Sequence, residues 1–139
     1  MKKSALLNSE ISYVVANMRH TDMLVIGDAG LPVPEKVQEI DLAVTKGVPD
    51  FLTVLKTVLS ELRVEKVVFA EEIKKSSPRL HDEALEFIRK TEADERISIE
   101  IEYVPHESFK AKTAESRAVI RTGEFSPYAN IILSSGVVF

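Results

Sequence analysis

Apolar side chains recur along this chain in short blocks whose spacing changes from block to block, and the spacing predicts the elements. Ile11, Val14, Val15 and Met18 fall at helical intervals behind Asn8 and Ser9, which can cap a helix, and Arg19 and His20 stand at its end. Met23 to Gly27 is a continuous apolar run, read as a buried strand, and it stops at the loop-forming stretch Asp28-Ala29-Gly30-Leu31-Pro32-Val33-Pro34. Ile40 to Val44 offer a weaker strand. Asp50 then caps an amphipathic helix carrying Leu52, Leu55, Val58, Leu59 and Leu62, and Lys66 to Ala70 reads as another buried strand.

Beyond the polar stretch Glu71 to Ser77, Pro78 can open a helix running to about Thr91, whose charges, His81 among them, read as a solvated face. Ile97, Ile99, Ile101 and Tyr103 alternate with Ser98, Glu100 and Glu102, which is the clearest strand signal in the chain. Pro105 and His106 follow it. A helical segment to about Ser116, a strand over Arg117 to Thr122 and a last strand over Asn130 to Ser134 complete the pattern. Strands alternating with helices, with no repeat and no Gly-, Ser- or Pro-rich linker, predict one α/β domain over residues 1–139, a central mixed β-sheet covered by helices.

Composition narrows the function. The 139 residues are 45% hydrophobic and 29% charged, the balance of an ordinary globular domain. A net charge of -4 provides no positive field for nucleic acid or an anionic membrane surface. The absence of cysteine removes disulfides and thiolate chemistry, and no apolar run is long enough to cross a bilayer or to serve as a secretory signal, so a cytoplasmic protein is expected. No phosphate-binding or dinucleotide-binding glycine motif and no Gly-x-Ser-x-Gly elbow is present, so no cofactor is expected.

The polar residues able to move protons collect at element junctions: His20 before a strand, Asp28 after it, His106 after another, Tyr128 and Asn130 before the last. His20 and His106 are the natural acid/base candidates at neutral pH, although each also suits a helix cap or a surface position. The Asp28 carboxylate can accept from vicinal hydroxyls as well as satisfy its own turn. If their segment is extended, Tyr128 and Asn130 face one side and present a hydroxyl and an amide to one ligand. Lys110, one turn after His106, could reach the same ligand. His20, Asp28 and His106 have the residue types of a two-histidine, one-carboxylate metal site but lack its close spacing, and no metal is expected.

Several short motifs occur in order: Leu7-Asn8-Ser9, His20-Thr21-Asp22, Asp28-Ala29-Gly30-Leu31-Pro32, Gly47-Val48-Pro49, Ala70-Glu71-Glu72-Ile73, His106-Glu107-x-Phe109-Lys110, Thr113-Ala114-Glu115-Ser116 and Gly123-Glu124-x-Ser126-Pro127-Tyr128-Ala129-Asn130-Ile131-Ile132-Leu133. From Lys2 to Phe139 the chain resembles the ribose pyranase and fucose mutarotase family, on its D-ribose pyranase side. Fucose-type relatives tend to carry an aromatic-Pro pair after the Asp-Ala, where this chain has Gly30-Leu31-Pro32. The resemblance implies an isomerase that interconverts the pyranose and furanose rings of D-ribose. His20 would be the proton donor, and Asp28, His106, Tyr128, Asn130 and Lys110 would bind the sugar. It also implies a homo-oligomer, typically a decamer of two pentamers, with sites shared between subunits. A mutarotase for another sugar such as fucose, a non-catalytic ribose-binding accessory and a purely structural oligomerisation domain are the alternatives.

Overall fold

A computed structural model describes residues 1–139. In chain order the elements are α1 (Ser9–Asn17), β1 (Met23–Gly27), β2 (Gln38–Asp41), α2 (Phe51–Leu59), β3 (Val64–Ala70), α3 (Ile73–Ser76), α4 (Pro78–Glu95), β4 (Glu100–Val104), α5 (His106–Thr113), β5 (Ala118–Arg121) and β6 (Ile131–Ser135). The caps fall where the sequence puts them. The Asn8 side chain accepts from Ile11 N and that of Asp50 from Thr53 N, satisfying amides that the first turn of a helix leaves free.

The six strands form one mixed sheet in the order β2-β5-β1-β6-β3-β4. All neighbours are parallel except β6, which runs antiparallel to both β1 and β3. Alternation along the central strands fills two cores. Leu24, Ile26, Val67, Phe69, Ile120, Ile131 and Leu133 join the larger one with Ile11 and Val14 of α1, Leu55 and Val58 of α2, and Ala84 and Ile88 of α4. Val25, Val68, Val119 and Ile132 point the other way and pack with Phe109 of α5 and Leu31 of the loop after β1. Each fully buried Leu, Ile or Phe is worth roughly 1.5–3 kcal/mol over an exposed one, so these two layers hold the sheet in place. No helix is long and apolar enough to cross a membrane.

Three expectations change. The weak strand read at Ile40 to Val44 lies at Gln38–Asp41: Leu42 N still donates to Arg121 O, but the Asp41 carboxylate then takes Ala43 N and turns the chain away. The strand read from Ile97 begins only at Glu100. Arg96 is left-handed (φ 54°), Ile97 N donates to Glu92 O and Ile99 N to the Glu92 carboxylate, so residues 97–99 close the end of α4. His81, read as solvated, is 7% exposed. Ser77, His81, Ala84 and Ile88 form one buried stripe, and the His81 imidazole packs edge-on to Phe69 and meets the Tyr103 hydroxyl at 2.8 Å. Burial holds its pKa below the ordinary 6.5.

Candidate functional site

Because β1, β3, β4 and β5 run the same way, the loops after them emerge at one edge of the sheet, and antiparallel β6 starts at that edge. Crevices at the carboxyl ends of strands are where open α/β sheets bind ligands. Asp28 follows β1, His106 follows β4, Arg121 to Glu124 leave β5, and Tyr128 and Asn130 lead into β6.

Asp28 and Asn130 are the centre of this edge. Asp28 N donates to Asn130 Oδ1 at 2.8 Å, and Asn130 Nδ2 donates back to Asp28 Oδ2 at 3.0 Å. The other carboxylate oxygen of Asp28 takes Gly30 N at 2.9 Å. Asn130 is 1% exposed while Asp28 is only partly covered, so the amide is a buried holder and the carboxylate faces outward with acceptor sites to spare. Gly27 makes this approach feasible: a Cβ there would lie 3.2 Å from Asn130 Oδ1 and 2.7 Å from Leu31 Cδ2. Beside Asp28 a cleft of about 400 Å³ is lined by Gly30, Arg121, Glu124 and Ser126.

Tyr128 departs from the extended conformation considered for it. Its φ is 59°, in the left-handed region that a tyrosine seldom enters, and Asn130 N donates to its carbonyl across the turn. Neighbours hold the turn in that shape. The Glu124 carboxylate accepts Ser126 Oγ at 2.8 Å and Ser126 N at 3.1 Å, Ser77 Oγ donates to Pro127 O at 2.7 Å, and Ala29 N donates to Glu124 O at 2.8 Å, which joins this turn to the Asp28 loop. Tyr128 and Asn130 therefore do not present themselves side by side. Asn130 turns inward to Asp28, and the Tyr128 ring stands edge-on to His106, with centroids 4.9 Å apart.

His106 opens α5. Its backbone N donates to both oxygens of the Glu72 carboxylate, at 3.0 and 3.1 Å, and these bonds, after Glu72's own amide, keep that carboxyl below its ordinary pKa. Its Nδ1 is buried with no partner in the protein. Buried side-chain nitrogens are nearly always hydrogen-bonded, so this atom is suited to a ligand hydroxyl. Lys110, one turn on, is ion-paired with Glu107 at 2.8 Å.

His20 is not brought to this group. It precedes β1, whereas Asp28 follows it; strands rise about 3.3 Å per residue, so the two lie roughly 15 Å or more apart, at opposite edges of the sheet. His20 is exposed, and its Nε2 lies 2.9 and 3.1 Å from the two oxygens of Glu65, at the start of β3. Consistent with that separation, no three His, Asp or Glu side chains group as metal ligands. Sequence reading missed Glu65, Glu72 and Glu124. The signals present were Glu72 and Glu124 within the motifs already noted; nothing local marks Glu65.

A family model described as the RbsD / FucU transport protein family matches residues 1–138. The chain belongs to this family. Over their full lengths it is 52% identical to a D-ribose pyranase of Aliivibrio fischeri and 55% identical to one of Vibrio parahaemolyticus. The structure of Bacillus subtilis RbsD complexed with D-ribose is 45% identical and superposes with a TM-score of 0.87 over the whole of both chains. A fucose mutarotase from Streptococcus pneumoniae, complexed with L-fucose, has a TM-score of 0.82 at 24% identity over the whole of both chains, a likeness of fold. Within the RbsD / FucU family these identities bear out the resemblance to the ribose side.

Proposed function

We propose that this chain is a D-ribose pyranase, an isomerase interconverting the β-pyranose and β-furanose forms of D-ribose. The observation that carries this reading is the group of Asp28, His106 and Tyr128 at the carboxyl edge of the sheet, in a chain more than half identical end to end to proteins named D-ribose pyranase. A sugar presents vicinal hydroxyls and an apolar ring face. The outward carboxylate of Asp28, the free Nδ1 of His106 and the Tyr128 ring match those features.

The reaction moves protons and one C–O bond. The anomeric hydroxyl passes its proton to water, His20 gives a proton to the ring oxygen, and the bond from that oxygen to the anomeric carbon breaks to leave the open aldehyde. The hydroxyl that forms the furanose then attacks the aldehyde carbon, returns a proton to His20, and the aldehyde oxygen regains one from water. An acid/base group of this kind contributes about 10² to 10⁴ in rate, and binding by Asp28, His106, Tyr128 and, at the rim, Lys110 orients the open form. Asn130 acts through Asp28.

For His20 to reach the sugar, the amino edge of one subunit must meet the carboxyl edge of the next. Head-to-tail contacts of that kind close into rings. The reading is therefore a ring-shaped homo-oligomer with each site shared by two subunits, which the family resemblance makes a decamer of two pentamers, working in the cytoplasm. NMR exchange spectroscopy on equilibrated D-ribose with catalytic protein tests it. Faster pyranose-to-furanose exchange, lost in His20→Ala, is the expected result. Unchanged exchange overturns it, with ribose binding alone pointing to an accessory protein and acceleration of L-fucose alone to a mutarotase of the other branch.

A further inference from the structure

We propose that Glu65 is the positioning residue for His20, holding the imidazole so that protons pass to and from the sugar through Nδ1. This rests on the pyranase reading. The carboxylate of Glu65 faces His20 Nε2 with both oxygens, at 2.9 and 3.1 Å. An ionised carboxylate only accepts, so Nε2 must carry the hydrogen, and Nδ1 is the nitrogen left to change its proton. In the charged ring Nδ1–H gives its proton to the sugar ring oxygen. The neutral ring that remains keeps Nε2–H on Glu65 and offers the Nδ1 lone pair to the hydroxyl that closes the furanose, which restores the starting state.

Two further observations show that this corner is built. Thr21, next to His20, has φ 68°, an outlier for a β-branched residue, and strain of this kind persists only where surroundings impose it. Here they do: Thr21 N donates to Ser135 O and Ser135 N to Asp22 O, both at 2.8 Å, while Arg19 N donates to the Asp22 carboxylate at 2.7 Å. The turn is thus pinned to the end of β6. Glu65 packs beside the residue that follows this strand: Gly136 leaves the room its side chain occupies, since an added Cβ there would lie 3.2 Å from Glu65 Cβ and 3.4 Å from its Oε2. His20 and Glu65 are 55% and 41% exposed in their side chains, and pairs this exposed contribute little to stability. Strain at Thr21 combined with a pair of small stabilising value points to orientation as its purpose.

The test uses the full-length protein with 15N-labelled histidine. Long-range 1H–15N correlation spectra, recorded without sugar, read which ring nitrogen of neutral His20 carries hydrogen. The expected result is the Nε2–H tautomer in the wild type and a mixture in Glu65→Ala. At saturating ribose, kcat for ring exchange should fall on the order of tenfold in Glu65→Ala with KM within about twofold, and Glu65→Asp should recover part of it. An Nδ1–H tautomer in the wild type, or a wild-type kcat in Glu65→Ala, overturns the proposal. Absence of exchange in the wild type itself overturns the pyranase reading instead, and the sugar-free spectra still judge the Glu65–His20 pairing.

Discussion

Asp28 and Asn130, 102 positions apart in the chain, are bonded twice in opposite directions, amide to carboxamide and carboxamide to carboxylate. The pairing orients a half-buried acid with a fully buried amide, a division of labour between two residues that look alike as ligands in the sequence. Asn130→Ala leaves the Asp28 amide hydrogen without its acceptor. A loss of about 1–3 kcal/mol in urea unfolding is expected, together with weaker ribose binding by titration calorimetry, on the order of tenfold.

The proposed sharing of sites between subunits has a direct signature. His20→Ala and Asp28→Asn proteins should each be inactive in ribose exchange. Unfolded together and refolded as mixed oligomers, they should regain roughly a quarter of wild-type activity, because random mixing restores some sites with both native residues. A mixture as inactive as its components would place the two residues in one subunit's site.

Tyr128 trades stability for position. In the left-handed region a non-glycine residue costs about 1–2 kcal/mol, so Tyr128→Gly removes strain while losing the ring packed on His106. Thermal unfolding should move by only a few degrees, whereas KM for ribose should rise on the order of tenfold or more.

Gly123 lies where the chain between Thr45 and Val48 passes closest. A Cβ there would sit 2.5 Å from Thr45 O and 2.6 Å from Val48 O, both backbone atoms, and the bonds Gly123 N to Pro49 O and Gly47 N to Gly123 O lie in the same contact. Gly123→Ala must push the two segments apart. A loss of about 1–3 kcal/mol is expected in urea unfolding, with reduced ribose binding because Glu124 follows immediately.

His81 provides a pH dependence. Burial against Phe69 and Tyr103 lowers its pKa, opposed by Asp82 and Glu71 and assisted by Lys74. Below the ordinary value of 6.5 the unfolded chain takes up a proton that the folded one resists. The contribution of His81 is therefore complete above that value and declines as pH falls toward the lower folded pKa. Between about pH 8 and about pH 5, urea unfolding should show a larger loss for the wild type than for His81→Gln.

Much of this protein is written in short-range signals. The caps at Asn8 and Asp50, the buried runs of β1 and β3, the α/β class and the junction positions of Asp28, His106 and Tyr128 follow from periodicity and local hydrogen bonding, which act over a few residues. The motif from Gly123 to Leu133 pointed to the family before any coordinate did. Tertiary structure decided what depends on partners far along the chain. The strand order and the antiparallel course of β6 bring Asn130 onto Asp28 and separate His20 from both, because pairing is chosen by the fit of whole faces rather than by any one strand's pattern. The alternation at Ile97 and Ile99 went into closing α4, where Glu92 offered hydrogen bonds that strand pairing did not. His81 was buried amid a charged stretch because its helix face, set by Ala84 and Ile88, turned to the core. Glu65, 45 residues from His20, became its partner only once β3 and the turn before β1 were pinned at the same edge of the sheet, since a contact at that separation leaves no trace in local spacing.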